Sequence, residues 1–220
     1  MKKLQMFENK NEGLLVTFCG LDGSGKTTMI KRLIKYLEEA GEDHFLTKQP
    51  TQAVRSSEIF RNYMDQPDHT GFDYRSLSLL AASDRVQHSN MVIIPELKKG
   101  KIVVSDRYFY SCLANLQARG FEKDKWIYEI SKSIVKPDIS FFMEISVEKA
   151  LERVRSRPEE KEKFVDIGLQ FRLKDNYEKI CKQTNGVLIP SDVSEDESFE
   201  IVKNTFEEQR RKKKWKLKKK

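Results

Sequence analysis

Apolar positions in this chain follow two different rhythms. Residues 13–19 (GLLVTFC) form a short apolar run ending at a glycine, which predicts a buried strand. Residues 26–40 carry Met29, Leu33, Ile34 and Leu37 at helical spacing, with Gly41 as the stop. The two patterns then alternate. Strands are predicted at 44–48, closed by Pro50, and at 101–106, 139–145 and 186–189. Helices are predicted from Thr51, as a cap, to residue 64, then over 73–99, 110–118, 123–135, 147–157, 166–184 and 194–213. Pro95 lies inside the long 73–99 pattern and is expected to kink it or restart a turn. Polar segments at 65–71, 136–138 and 158–163 punctuate the series. Strands that alternate with helices predict an α/β fold, a parallel sheet covered by helices on both faces. Right-handed crossovers bring the strand C-termini to one edge, where ligands bind in such folds.

Gly20-Leu21-Asp22-Gly23-Ser24-Gly25-Lys26-Thr27 fits G-x-x-x-x-G-K-[ST], after a predicted strand and at the start of a predicted helix. That position suits phosphate chemistry. Glycines let backbone N–H groups curl around phosphate oxygens, and the helix start adds partial positive charge. Lys26 is placed to reach the outer phosphates and Thr27 to ligate Mg²⁺.

Three further groups point to the rest of a site. Ser105-Asp106-Arg107-Tyr108 ends the third strand, beside the P-loop. Asp106 there is a candidate to hold Mg²⁺, directly or through water, and Arg107 to neutralise phosphate charge; a structural Asp–Arg pair is the plainer alternative. Ser83-Asp84-Arg85 lies mid-helix, with Arg85 one turn after Ala81 on the same face; a solvated arginine is the alternative there. Arg153, Arg155 and Arg157 precede Pro158 and a polar loop. Arg153 and Arg157, four residues apart, are expected to share a helix face as part of a flap near 153–165 that closes over the phosphates and excludes water. A solvated helix end is the alternative.

Composition narrows the class. Hydrophobic residues make up 38% and charged residues 34%, the balance of a folded globular chain of 220 residues with one core. No apolar run approaches the roughly 20 residues of a membrane span, and the N-terminus lacks the apolar stretch of a signal peptide, so a cytoplasmic location is expected. Cys19, Cys112 and Cys181 show no disulfide pattern and are expected as buried thiols, while His44, His69 and His88 form no zinc-type cluster. The net charge of +7 comes from the end of the chain: residues 210–220 hold nine basic side chains, and the remainder holds 32 basic against 34 acidic ones. A single domain over 1–213 with a basic tail at 214–220 is therefore expected. A solvated helix end explains that tail; contact with nucleic acid through it is the alternative.

These motifs together resemble the thymidylate kinase family over roughly residues 14–189. The resemblance rests on GLDGSGKTT (Gly20 to Thr28), Pro50 after the second strand, SDRVQH (Ser83 to His88), DRY with Ser111 five residues after Asp106, KPD (Lys136 to Asp138) and LERVRSR (Leu151 to Arg157). It implies the P-loop NTPase fold with a five-stranded parallel sheet, a homodimer, ATP and Mg²⁺, and transfer of the γ-phosphoryl group to dTMP. It further implies ATP contacts from Gly20, Leu21, Asp22, Gly23, Ser24, Gly25, Lys26, Thr27 and Thr28. Acceptor contacts would come from Asp22, Pro50, Arg55, Ala81, Arg85, Arg107, Ser111 and Asn115. Because Gly23 follows Asp22, the chain resembles members whose catalytic arginine comes from the flap, making Arg153 and Arg157 the candidates. Two departures bear on the acceptor. The family usually has a phenylalanine at the position of Ala81 and a tyrosine at that of Asn115. Tyr74, Phe72 and Tyr110 are the candidate rings to replace the lost one. Another nucleotide or a nucleoside as acceptor, and a non-catalytic nucleotide-binding module, remain the competing functions.

Overall fold

The computed structural model describes residues 4–65, 72–158 and 165–218. Strands β1 (Leu15–Cys19), β2 (His44–Lys48), β3 (Ile102–Asp106), β4 (Ile139–Glu144) and β5 (Val187–Pro190) form one parallel sheet in the order β2-β3-β1-β4-β5. Helices α1 (Lys26–Glu39), α2 (Gln52–Arg55), α3 (Glu58–Asp65), α4 (Tyr74–His88), α5 (Ile94–Lys98), α6 (Phe109–Ala118), α7 (Trp126–Ser131), α8 (Val147–Arg155), α9 (Ile167–Thr184) and α10 (Glu195–Lys218) surround it.

Strand alternation builds two cores from one sheet. In β1 and the residue before it, Leu14, Val16 and Phe18 face α1 and α10, packing with Leu33, Leu37, Val202 and Phe206. Leu15 and Cys19 face the other side, with Val103, Phe142 and the buried stripes of α6 and α9. Every residue of β1 is buried, as a strand covered on both faces requires. The sheet is the expected five-stranded parallel one. After β1 the chain crosses to the β2 edge. It returns through β3 and then passes beyond β1 to β4, so the C-terminal end of β1 lies where strand order reverses.

Several predicted boundaries shift. The helix expected from Thr51 to residue 64 is two helices, interrupted at Ser56 and Ser57. Thr51 occupies the N-cap position, but its hydroxyl donates to Asp84 of α4 instead of capping α2. The expected 73–99 helix ends at His88, passes through a π-helical turn at Ser89–Ile93 and resumes as α5 with Pro95 in its first turn. Proline has no N–H to donate and its ring crowds the carbonyl four residues earlier, so the α ladder breaks just before it. The helix expected over 123–135 shrinks to Trp126–Ser131, because Val135 leaves to pair with Phe7. Helix α10 runs to Lys218, past the expected end at 213. The polar turn at 66–71, residues 159–164 of the expected flap, and Lys219 and Lys220 lie outside the described residues.

Candidate active site

β1 ends at Cys19, and the chain turns through Gly20 to Gly25 into α1. Gly25 is the N-cap in the left-handed region (φ 83°), and no side chain closes this helix end, so its first N–H groups face the loop. Gly23 also has positive φ (78°), and a Cβ there would lie 2.2 Å from the carbonyl oxygen of Ala150 in α8. Backbone and space both exclude a side chain at this position. An arginine cannot project from here, and α8 packs directly on the loop.

Lys26 opens α1 and is buried beneath the loop. Its Nζ donates to the carbonyls of Gly20 (3.1 Å) and Leu21 (2.5 Å). Burial pulls its pKa down to about 7, Arg107 adds to that, and Asp22 and Asp106 oppose it. Thr27 follows, exposed, with Thr28 half-buried.

Arg107 stands one residue past β3 with φ 68°, a left-handed conformation costly for a non-glycine residue. A dense set of bonds holds it there. Its N–H donates to Phe18 O (2.8 Å), Nη1 to Gly20 O (3.2 Å) and the Tyr177 hydroxyl (3.1 Å), and Nη2 to Asp22 Oδ1 (2.6 Å). Burial works against its charge, but Asp22, Tyr177 and Asp106 outweigh burial and hold the guanidinium above its ordinary range. The carbonyl of Gly20 thus accepts from both Lys26 and Arg107.

Asp106, the last residue of β3, has Oδ2 3.0 Å from Lys48 Nζ, whereas its buried Oδ1 has no hydrogen-bond partner among the described residues. An orphaned carboxylate oxygen at a strand end, with the Thr27 hydroxyl in the first turn of α1, fits Mg²⁺. That ion keeps several waters and takes only one or two protein ligands when phosphates supply the rest. No cluster of three acidic, cysteine or histidine side chains exists among the described residues, and Mg²⁺ bound to phosphates does not need one.

A cavity of about 940 Å³ opens beside these groups. All the residues expected on the acceptor side line it: Asp22, Pro50, Arg55, Ala81, Arg85, Arg107, Ser111 and Asn115. The cis Gln49–Pro50 peptide closes one wall, and Arg55 Nε donates to the Pro50 carbonyl (2.8 Å). Arg85 is buried, not solvated; its Nη1 donates to Ala81 O (2.8 Å), and its Nε has no partner among the described residues. Ser111 Oγ accepts from the Tyr177 hydroxyl at 3.1 Å.

The flap arginines separate. α8 ends at Arg155, so Arg153 and Arg157 do not share a helix face. Arg153 donates to Ser191 Oγ (2.9 Å) and Ser191 O (2.7 Å), beside Gly25, whereas Arg157, in the turn after the helix, lines the cavity. Arg155 is exposed. Of the candidate replacement rings, Tyr74 lines the cavity. Tyr110 packs in the core on Phe142 (5.5 Å between ring centres), and Phe72 packs on Tyr63 (5.3 Å). Cys19, Cys112 and Cys181 are free, buried thiols, and burial pushes Cys19 up to about 11.

Lys48, Tyr63, Tyr177 and Arg119 are among the cavity residues that the sequence patterns do not single out as site residues. Lys48 ends β2 shortly before Pro50, and Tyr63 sits in a segment with no motif. Tyr177 is camouflaged in the apolar stripe Leu173, Tyr177, Ile180 and Cys181 of α9, though a buried phenol that needs a partner was a usable signal. Arg119 follows α6 as an ordinary basic helix end.

The sequence profile described as thymidylate kinase matches residues 18–204. A protein named thymidylate kinase from Mesoplasma florum is 34% identical over 201 residues, covering 88% of this chain and 94% of its own length. Another of that name from Geobacillus sp. (strain WCH70) is 34% identical over 200 residues, covering 87% and 94%. A probable thymidylate kinase from Pyrococcus horikoshii is 34% identical over 172 residues, covering 77% and 83%. With its P-loop, its central parallel sheet and this similarity along most of its length, the chain belongs to the thymidylate kinase family.

Proposed function

We propose that this protein transfers the γ-phosphoryl group of ATP to dTMP, giving dTDP. The observation that carries this is the shared Gly20 carbonyl: the P-loop lysine and the arginine after β3 meet at one point on the edge of one cavity. A donor phosphate on the loop and an acceptor phosphate at Arg107 would then approach in line.

In this proposal the N–H groups from Gly20 to Thr28 cradle the ATP phosphates, and Lys26 turns from the loop carbonyls to the outer phosphates. Arg107 holds the acceptor phosphate, with Arg55 beside it. Asp22 orients Arg107 and faces the acceptor sugar, while Pro50, Ser111 and Asn115 shape the pocket. Arg85 donates to a carbonyl of the base above Ala81. Arg157, on the cavity wall, is better placed than Arg153 to reach a transferring phosphoryl group. Thr27 and Asp106 would hold Mg²⁺, which when bound would offset phosphate charge. Transfer is direct. The acceptor phosphate is already an anion near neutral pH, so no general base is needed, and catalysis is positioning plus charge neutralisation. The single-domain boundaries, the homodimer and a cytoplasmic location belong to the same proposal, and sedimentation tests the pairing.

Ala81 and Asn115 on the cavity wall favour one second reading, the same transfer to a different acceptor. A steady-state panel of dTMP, dUMP, dGMP, UMP and thymidine separates the two. dTMP is expected to give the highest kcat/KM. A preference for thymidine, which brings no phosphate, would remove the role given to Arg107.

A further inference from the structure

Helices α4 and α6 both lead away from the phosphate end of the cavity. Along α6, Arg119 lies eight residues beyond Ser111, about 12 Å at the helical rise. Along α4, Tyr74 lies eleven residues before Arg85, about 16 Å. At this far end the Arg119 guanidinium centre lies 3.8 Å from the centre of the Tyr74 ring. Its Nε and Nη2 donate to the Tyr63 hydroxyl of α3 at 3.2 and 2.8 Å. Its Nη1 donates to Asn115 Oδ1 at 2.9 Å and to Asn115 O at 3.3 Å. The Tyr63 and Tyr74 rings stand 5.5 Å apart, and all four side chains line the cavity.

We propose that Arg119 is a positioning residue that fixes the depth of the acceptor pocket, by holding Tyr63 and Tyr74 as its end wall. This rests on the acceptor being a nucleoside monophosphate, as proposed above. The planar fork is what the task requires. It stacks on one ring, bonds the hydroxyl of the other and ties both to α6, which a lysine ammonium cannot do from one position. Ala81 contributes only a methyl group between this wall and Arg85, so end-wall depth decides whether a one-ring or a two-ring base fits.

The test is selectivity between dTMP and dGMP in Arg119→Ala and in Tyr63→Phe, the latter losing only the hydroxyl that Arg119 grips. In Arg119→Ala the KM for dTMP is expected to rise about tenfold and discrimination against dGMP to shrink about tenfold, with the KM for ATP within about twofold of wild type. Tyr63→Phe should move both quantities the same way by less. Unchanged discrimination in folded Arg119→Ala overturns the proposal, as does a loss of kcat with both KM values unmoved. If Arg119→Ala does not fold, unchanged discrimination in Tyr63→Phe overturns it alone. A wild-type protein inactive on dTMP defeats the proposed function instead, and the same two variants are then compared on whichever monophosphates the wild type accepts.

Discussion

Lys26 and Gly23 carry opposite kinds of constraint at the residue scale. Lys26 is a buried cation whose hydrogen bonds all go to its own loop, so its worth to folding is small beside its worth to phosphate. Lys26→Ala is expected to lower kcat by at least two to three orders of magnitude, the usual loss when one charge-stabilising donor is removed, while the circular dichroism spectrum stays native. A folded variant with full activity would end the role assigned to Lys26. Gly23 is constrained by shape alone. Gly23→Ala meets the Ala150 carbonyl and sits at an unfavourable φ, so urea unfolding should show a loss of about 2 kcal/mol or more, together with a raised KM for ATP. The glycine pattern gave the loop's chemistry away in sequence. That Gly23 is glycine because α8 lies on top of it is a fact of packing that spacing along the chain does not express.

At the scale of elements, His88 joins α4 to the end of β2. One ring nitrogen bonds Thr47 Oγ1 at 2.8 Å and the other Gln49 Nε2 at 3.0 Å, just before the cis proline that walls the cavity. Burial lowers its pKa from the ordinary 6.5; nearby Asp84 opposes this and Arg85 reinforces it. The sign follows from linkage. Between the lowered folded value and 6.5 the unfolded chain binds more protons, so stability is complete above 6.5 and falls as the pH drops through that window. His88→Gln keeps hydrogen-bonding capacity without the titration. Its urea midpoint should therefore change less than the wild type's between pH 7.5 and 5.5. Equal acid sensitivity in the two proteins would assign the effect to another group. The sequence placed His88 on a helix and Thr47 on a strand correctly. Their meeting depends on how α4 crosses the sheet, which neither local pattern encodes.

For the whole molecule, the basic end of the chain divides into two parts. Lys213 Nζ bonds Asp138 at 3.0 and 3.1 Å and the carbonyl of Gly13 at 2.6 Å, and Arg210 pairs with Glu42. Asp138 also accepts from Asn9 Nδ2 (2.6 Å) and from the N–H of Leu15 (2.8 Å), so this carboxylate stitches the start of β1, the approach to β4 and α10 together. Lys213→Ala is expected to cost about 1–3 kcal/mol in thermal unfolding, because it strips the cation from a largely buried carboxylate. Removal of residues 214–220 should leave the melting temperature and turnover unchanged. A loss of activity in that truncation would make the tail part of the enzyme. No described helix is long and apolar enough to cross a membrane.

The sequence by itself determined the order of elements, the parallel sheet and the phosphate loop. Those features are written in short-range spacing: period two, period 3.6, and glycines around one lysine. Tertiary structure alone decided which cations meet. It brought Arg107 and Lys26 to one carbonyl, sent Arg153 to Ser191 and Arg157 to the cavity, and drew Tyr63, Tyr74 and Arg119 from three helices into one wall. Such contacts join residues scores of positions apart, and their geometry is fixed by how helices pack across the sheet, which no local pattern in the chain records.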